Sequence, residues 1–80
     1  MAHTVLIYST PTCPYCKMAK EYFKEHNVAY TDYDVAADAR RAEEMIKKSG
    51  QRGVPVSDIE GELTIGFDRK RLAKLLGLAA

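Results

Sequence analysis

Apolar residues along this chain switch repeatedly between two spacings, short continuous or alternating runs of strand type and three-and-four spacings of helix type. Val5, Leu6 and Ile7 form an unbroken apolar run, so the segment from His3 to Ser9 reads as a buried strand. From Pro14, a residue tolerated at a first helical position, Met18, Ala19, Tyr22 and Phe23 recur at helical spacing, and Asn27 can end the helix. Lys17, Lys20, Glu21 and Lys24 are expected to face water. Val28 to Val35 alternates in strand fashion and suits a second strand parallel to the first, joined to it by a right-handed crossover. A second helix is predicted from Ala37 or Asp38 to Ser49, with Ala42, Met45 and Ile46 inward and Gly50 as its C-cap. The runs from Val54 to Ile59 and from Leu63 to Gly66, around Glu60-Gly61-Glu62, predict a hairpin. Asp68 can cap a last helix whose Leu72, Leu75, Leu76 and Leu78 form one stripe, interrupted near its end by Gly77. The order is βαβαββα. Met18, Tyr22, Phe23 and the leucines of the last helix are the expected core, and Tyr8, Tyr30 and Tyr33 are expected against the sheet with their hydroxyls at its rim.

The 80 residues are 46% hydrophobic and 29% charged, with large apolar side chains spread over the whole length, which predicts one compact domain over 1–80. A domain near this size buries only about 60% of its unfolded surface, so its stability depends on good packing. The net charge of +1 comes from interspersed acids and bases and makes no case for nucleic acid or a membrane surface. No segment approaches the roughly 18 apolar residues of a membrane span, and the first residues lack a basic run before a long apolar stretch. A cytoplasmic location is the expectation.

The only two cysteines fall in one run, Cys13-Pro14-Tyr15-Cys16, between the first strand and the first helix. That junction puts Cys13 where helix amides without helical partners point outward, and their partial positive charge stabilises an anion. The thiolate is the attacking form, so Cys13 is the expected nucleophile, with a lowered pKa, and Cys16 the resolving thiol. In a reducing compartment a CxxC reads as catalytic or metal-binding rather than as a structural staple. Half of a zinc site is the competing reading. It needs two more ligands, and His26 lies ten residues beyond Cys16, about 15 Å along the helix, while His3 belongs to the far end of the first strand. Lys17 could assist the thiolate or simply be exposed. Pro55 opens a strand expected near the sheet centre although it cannot donate to the ladder, and spacing alone does not say whether its peptide bond is cis.

With Thr12-Cys13-Pro14-Tyr15-Cys16, a Val54-Pro55 pair about forty residues later and Gly66-Phe67-Asp68 before the last helix, the whole chain resembles a glutaredoxin. The resemblance implies an α/β, thioredoxin-like fold with a central four-stranded mixed sheet flanked by helices. It implies a monomeric thiol-disulfide oxidoreductase that reduces protein or glutathione-mixed disulfides with no tightly bound cofactor and uses glutathione as co-substrate. It further implies a cis bond before Pro55, backbone groups of Val54 offered to substrate, and a binding surface completed by Tyr15, Arg52, Gly66, Phe67 and Asp68. Arg52 and Tyr15 have plain alternatives as a solvated charge and an exposed ring.

Several positions depart from the family pattern. Thr10 stands where a lysine or arginine is frequent, Ile65-Gly66 replaces a double glycine, and Arg69 falls where an acidic residue helps hold glutathione. The position that often binds its glycyl carboxylate is nearer Ala42, flanked by Arg41. These changes weaken the glutathione case. Gly66-Phe67 is also similar to the Ser-Gly-Phe of glutaredoxin-like redoxins that serve ribonucleotide reductase and are recharged by thioredoxin reductase. An iron-sulfur cluster shared between two chains, as some glutaredoxins hold, is the reading from another class.

Overall fold

The structure, a computed structural model, describes residues 4–78. Its elements are β1 (Val5–Ser9), α1 (Pro14–Glu25), β2 (Thr31–Asp34), α2 (Ala39–Ser49), β3 (Val56–Ile59), β4 (Glu62–Ile65) and α3 (Arg69–Leu76), in the expected order. One mixed sheet runs β2-β1-β3-β4, with β1 parallel to β2 and antiparallel to β3, and β3 antiparallel to β4.

Alternation along the strands divides the apolar residues between the two faces of this sheet. Val5, Ile7 and Ile59 meet Ala19, Tyr22 and Phe23 of α1 and Leu72 and Leu76 of α3. On the other face Tyr8 and Val56 meet Met45 of α2, with Leu6, Tyr33, Ile46 and Leu63 around them. The Tyr8 ring is wholly buried. Its hydroxyl donates to Glu44 Oε2 at 2.7 Å and accepts from Lys48 Nζ at 2.9 Å, and Lys48 also pairs with Asp58 at 2.9 Å. The phenol is thus covered by α2 and not open at the sheet rim.

Local signals set the element ends. Asp38 and Asp68 accept amide hydrogens of the first turns of α2 and α3, and Gly50 and Gly77 close them in the left-handed conformation. Glu60 and Gly61 both have positive φ, 54° and 87°, the pattern of a type I′ hairpin turn, so β4 begins at Glu62 and not at Leu63.

Four expectations are corrected. The first strand starts at Val5, and His3 lies outside the described residues. The second strand is half its predicted length because α1 claims the residues before it: Asn27 takes φ 55° and the Val28 amide bonds back to Phe23 O at 2.8 Å, closing the helix end rather than entering the sheet. Met18 is 43% exposed, since it sits about 200° around the helix from the buried Cys16. Lys20, one turn after Cys16, lies on the inward side, and its ammonium pairs with Asp32 at 3.0 Å instead of facing open water.

Phe23 is fully buried and stacks near Tyr30 with ring centroids 5.5 Å apart. Phe23→Ala should therefore cost about 3–5 kcal/mol, a large share of the roughly 5–15 kcal/mol that holds a domain folded. Urea unfolding followed by far-UV circular dichroism should show the midpoint falling sharply; a midpoint equal to the parent's would contradict this packing.

Candidate active site

The turn after β1 delivers Cys13 to the N-terminus of α1. The Cys13 amide bonds to Thr10 O at 3.4 Å, and Cys13 itself is the N-cap, in an extended conformation with φ −89° and ψ 116°. Pro14 follows at the first helical position, where its missing N–H costs nothing and its fixed φ suits the helix. The Cys13 sulfur then takes the role that a Ser or Asp oxygen usually plays, accepting the Cys16 amide at 3.3 Å. Cys16, one turn later, is completely buried, while Cys13 is part-exposed; both are free thiols.

This asymmetry separates the two titrations. Burial pushes the Cys13 thiol up, but the Cys16 thiol beside it, the amides of Cys16 and Tyr15 and the Lys20 ammonium together outweigh burial, and the net direction is down. The expected helix-end effect is therefore present, joined by a larger one from the neighbouring sulfur. Cys16 goes the other way, pushed up to about 11, first by burial and then by its contact with Cys13. Lys20, and not Lys17, is the cation that acts on both sulfurs. The signal that could have found it is the four-residue step from Cys16 to Lys20, which places both on one helix side.

A second loop, leading into the neighbouring strand β3, meets the Cys13 sulfur. The Val54-Pro55 bond is cis, Pro55 is buried, and the Cys13 thiol donates to Val54 O at 3.8 Å. Since Pro55 comes just before β3, the ladder does not need the N–H it lacks. Its carbonyl accepts the Gly66 amide at 2.8 Å, and Gly66 has φ 79°, a conformation that favours glycine. This bond ties the end of β4 to the same bend. Gln51, which the sequence did not single out, clips the approach to the bend: its side-chain amide bonds to Gly53 O at 3.0 Å and to Ser49 Oγ at 3.2 Å, while its Oε1 accepts the Gly53 amide. A Cβ on Gly53 would lie 2.7 Å from that oxygen, so a side chain there would push the clip aside.

The remaining predicted site residues divide. Tyr15, 61% exposed, is free to meet a bound substrate, and Arg52 is exposed in the loop before the bend. Phe67 is half-buried against the core, edge-on to Tyr22 at 6.0 Å, and the Asp68 carboxylate caps α3 by accepting the Arg71 amide at 3.1 Å. Arg41 is engaged with Glu44 at 3.0 Å and lies 4.0 Å over the Tyr33 ring. The His26 ring packs on Tyr22 at 4.5 Å, well down α1 from the sulfurs. Among the described residues no three His, Cys, Asp or Glu side chains are grouped to hold a metal ion, and no helix is long and apolar enough to cross a membrane.

Residues 5–64 match the family model described as Glutaredoxin. The chain belongs to the glutaredoxin family. It is 47% identical over 72 residues to an uncharacterized glutaredoxin-like 8.6 kDa protein in the rubredoxin operon of Clostridium pasteurianum, covering 90% of this chain and 96% of that one. It is 38% identical over 64 residues to glutaredoxin 3 of Escherichia coli K12, covering 80% and 77% of the two chains. Among solved structures, the glutaredoxin of Archaeoglobus fulgidus superposes with a TM-score of 0.85 at 25% identity, covering 92% of this chain and 86% of that one. The four-stranded mixed sheet with three helices is thus the thioredoxin-like fold of glutaredoxins.

The opposed shifts predict unequal thiol reactivity. Because the thiolate is the reacting form, alkylation of Cys13 by iodoacetamide should rise with pH through a midpoint below the free-thiol value of about 8.5, while Cys16 should stay inert until the pH nears about 11. Mass mapping of the alkylated cysteine over a pH series checks this; two coincident titrations would contradict it.

Proposed function

We propose that this glutaredoxin-family protein is a dithiol thiol-disulfide oxidoreductase in which Cys13 attacks and Cys16 resolves. The observation that carries the reading is the pair itself, an accessible sulfur with a lowered pKa at a helix end beside a fully buried sulfur with a raised one. The Cys13 thiolate attacks a substrate disulfide and forms a mixed disulfide. Cys16 then attacks Cys13, releases the reduced substrate thiol and leaves a Cys13-Cys16 disulfide. The bend at Val54-Pro55 supports the same reading, since it sets backbone groups beside the reacting sulfur, where an extended peptide or glutathione can add as a short strand. Recognition through main chain lets substrates vary, and Tyr15 and Arg52 border this approach. The work needs no tightly bound cofactor, and we place it in the reducing cytoplasm with the protein as a monomer.

A second reading concerns the electron source. Two residues near the positions where relatives would hold glutathione are already committed, Asp68 to the cap of α3 and Arg41 to Glu44 and Tyr33. That commitment favours recharging by thioredoxin reductase over recharging by glutathione, with disulfide-bearing proteins as substrates in either case.

Both readings are tested with purified variants. Cys13→Ser should abolish disulfide reduction, and Cys16→Ser should accumulate mixed disulfides and keep only monothiol turnover; equal activity of the two would refute the assigned roles. NADPH oxidation measured once with glutathione and glutathione reductase, and once with thioredoxin reductase, should be faster in the second system. The reverse order would return glutathione to the role of reductant.

A further inference from the structure

Beneath α1 lies a polar cluster that the two-cysteine scheme leaves unused. Lys20 follows Cys16 by one helical turn and shares its side of the helix. Its Nζ lies 3.0 Å from Asp32 Oδ2 on β2, and the other carboxylate oxygen of Asp32 accepts from Ser9 Oγ, at the end of β1. Ser9 is almost fully buried and the Lys20 side chain only 23% exposed. Residues of two strands therefore hold one flexible cationic side chain on the side of α1 that carries the buried Cys16, where its charge acts on that sulfur. A lysine on a helix keeps its freedom and its hydration by staying in water, so this arrangement gives up both.

We propose that Lys20 is the counter-charge for the Cys16 thiolate while the mixed disulfide is resolved, and that Asp32 and Ser9 are positioning residues that hold its ammonium there. The inference rests on the dithiol reading above. Resolution needs Cys16 as thiolate, yet Cys16 is buried and its thiol is pushed up to about 11. Once Cys13 is bonded to substrate, the part of that rise that comes from Cys13 is gone. What remains is burial, opposed by the Thr10 backbone and by the Lys20 charge. In a site screened from water, a fixed cation stabilises an emerging thiolate more than it would in solvent.

The step balances without another reactant. Cys16 S–H releases its proton to solvent, its sulfur bonds to Cys13 Sγ, and the bond from Cys13 to the substrate sulfur breaks. The departing thiolate takes up a proton and leaves as a thiol, reduced by the two electrons that the cysteine pair loses. Lys20 itself stays protonated, since its hydrogen bond to Asp32 raises its pKa above the ordinary value. The titratable groups that face it are Asp32 and Tyr30 from the β2 side and the two cysteines from its own helix; β1 contributes the Ser9 hydroxyl.

Stopped-flow reaction of the reduced protein with Ellman's reagent tests the proposal, because attack by Cys13 releases one coloured thiolate and resolution by Cys16 releases a second. Lys20→Met should slow the second phase at neutral pH by about tenfold, equivalent to roughly one pKa unit, and shift its pH profile upward, with a smaller change in the first. Lys20→Arg should restore most of the second phase, and Ser9→Ala, which removes a positioning bond without touching a charge, should slow it mildly. An unchanged second phase in Lys20→Met, or Lys20→Arg as slow as Lys20→Met, would overturn the role of Lys20. Absence of a second phase in the parent protein would instead overturn the dithiol reading on which it rests.

Discussion

An α-helix leaves the amides of its first turn without helical partners, and α1 spends that surplus on sulfur. The Cys16 N–H points at the Cys13 sulfur from 3.3 Å, and the helix can hold that geometry only because its other end and inner face are anchored in the core by Ala19, Tyr22 and Phe23. The same anchoring buries Cys16. One rigid helix seated on one sheet therefore produces two chemically different thiols from identical side chains three positions apart in the motif. Neither thiol would differ much from free cysteine if the helix end were loose.

The second half of the site is made by long-range convergence. The bend at Val54-Pro55 meets the Cys13 sulfur from 41 residues away in sequence, and two further contacts hold that bend: the loop clip made by Gln51 and the Gly66 amide at the end of β4. Each contact is a hydrogen bond to backbone, so the surface presented to a substrate is largely main chain on a stiff frame. Loops that carry function on a rigid scaffold are the common arrangement. Here the scaffold is the antiparallel pairing of β3 with both β1 and β4, which leaves the bend no freedom to drift from the sulfurs.

The two sheet faces are stabilised differently. The face under α1 and α3 is apolar apart from a few groups, with aromatic rings in tilted and edge contacts. Under α2, the buried Tyr8 phenol is saturated by Glu44 and Lys48, and Lys48 is shared with Asp58. Such a network gains by fixing one arrangement, because each member is satisfied only when all are in place. It lies on the face opposite the cluster of Lys20, Asp32 and Ser9, so the two sets of charges act on different parts of the protein.

Much of this was legible in the residues alone, because it depends on near neighbours. Apolar spacing located every helix and strand. Asp38, Asp68, Gly50 and Gly77 marked helix ends through bonds that span only a few residues, and Cys13-Pro14-Tyr15-Cys16 announced thiol chemistry at a helix start. What lay beyond reach depends on where distant chain segments arrive. Periodicity put Met18 inside and Lys20 outside, but the rotation of α1 about its axis is set by the sheet beneath it, which exposes the first and draws the second to Asp32. The packing of Phe67 on Tyr22 was not legible in its spacing, and Gln51 carried no local signal at all. Sequence determined which elements form and which atoms can react. Only the packing of those elements decided the surroundings of each reactive atom, since burial and electrostatic fields are properties of neighbours in space.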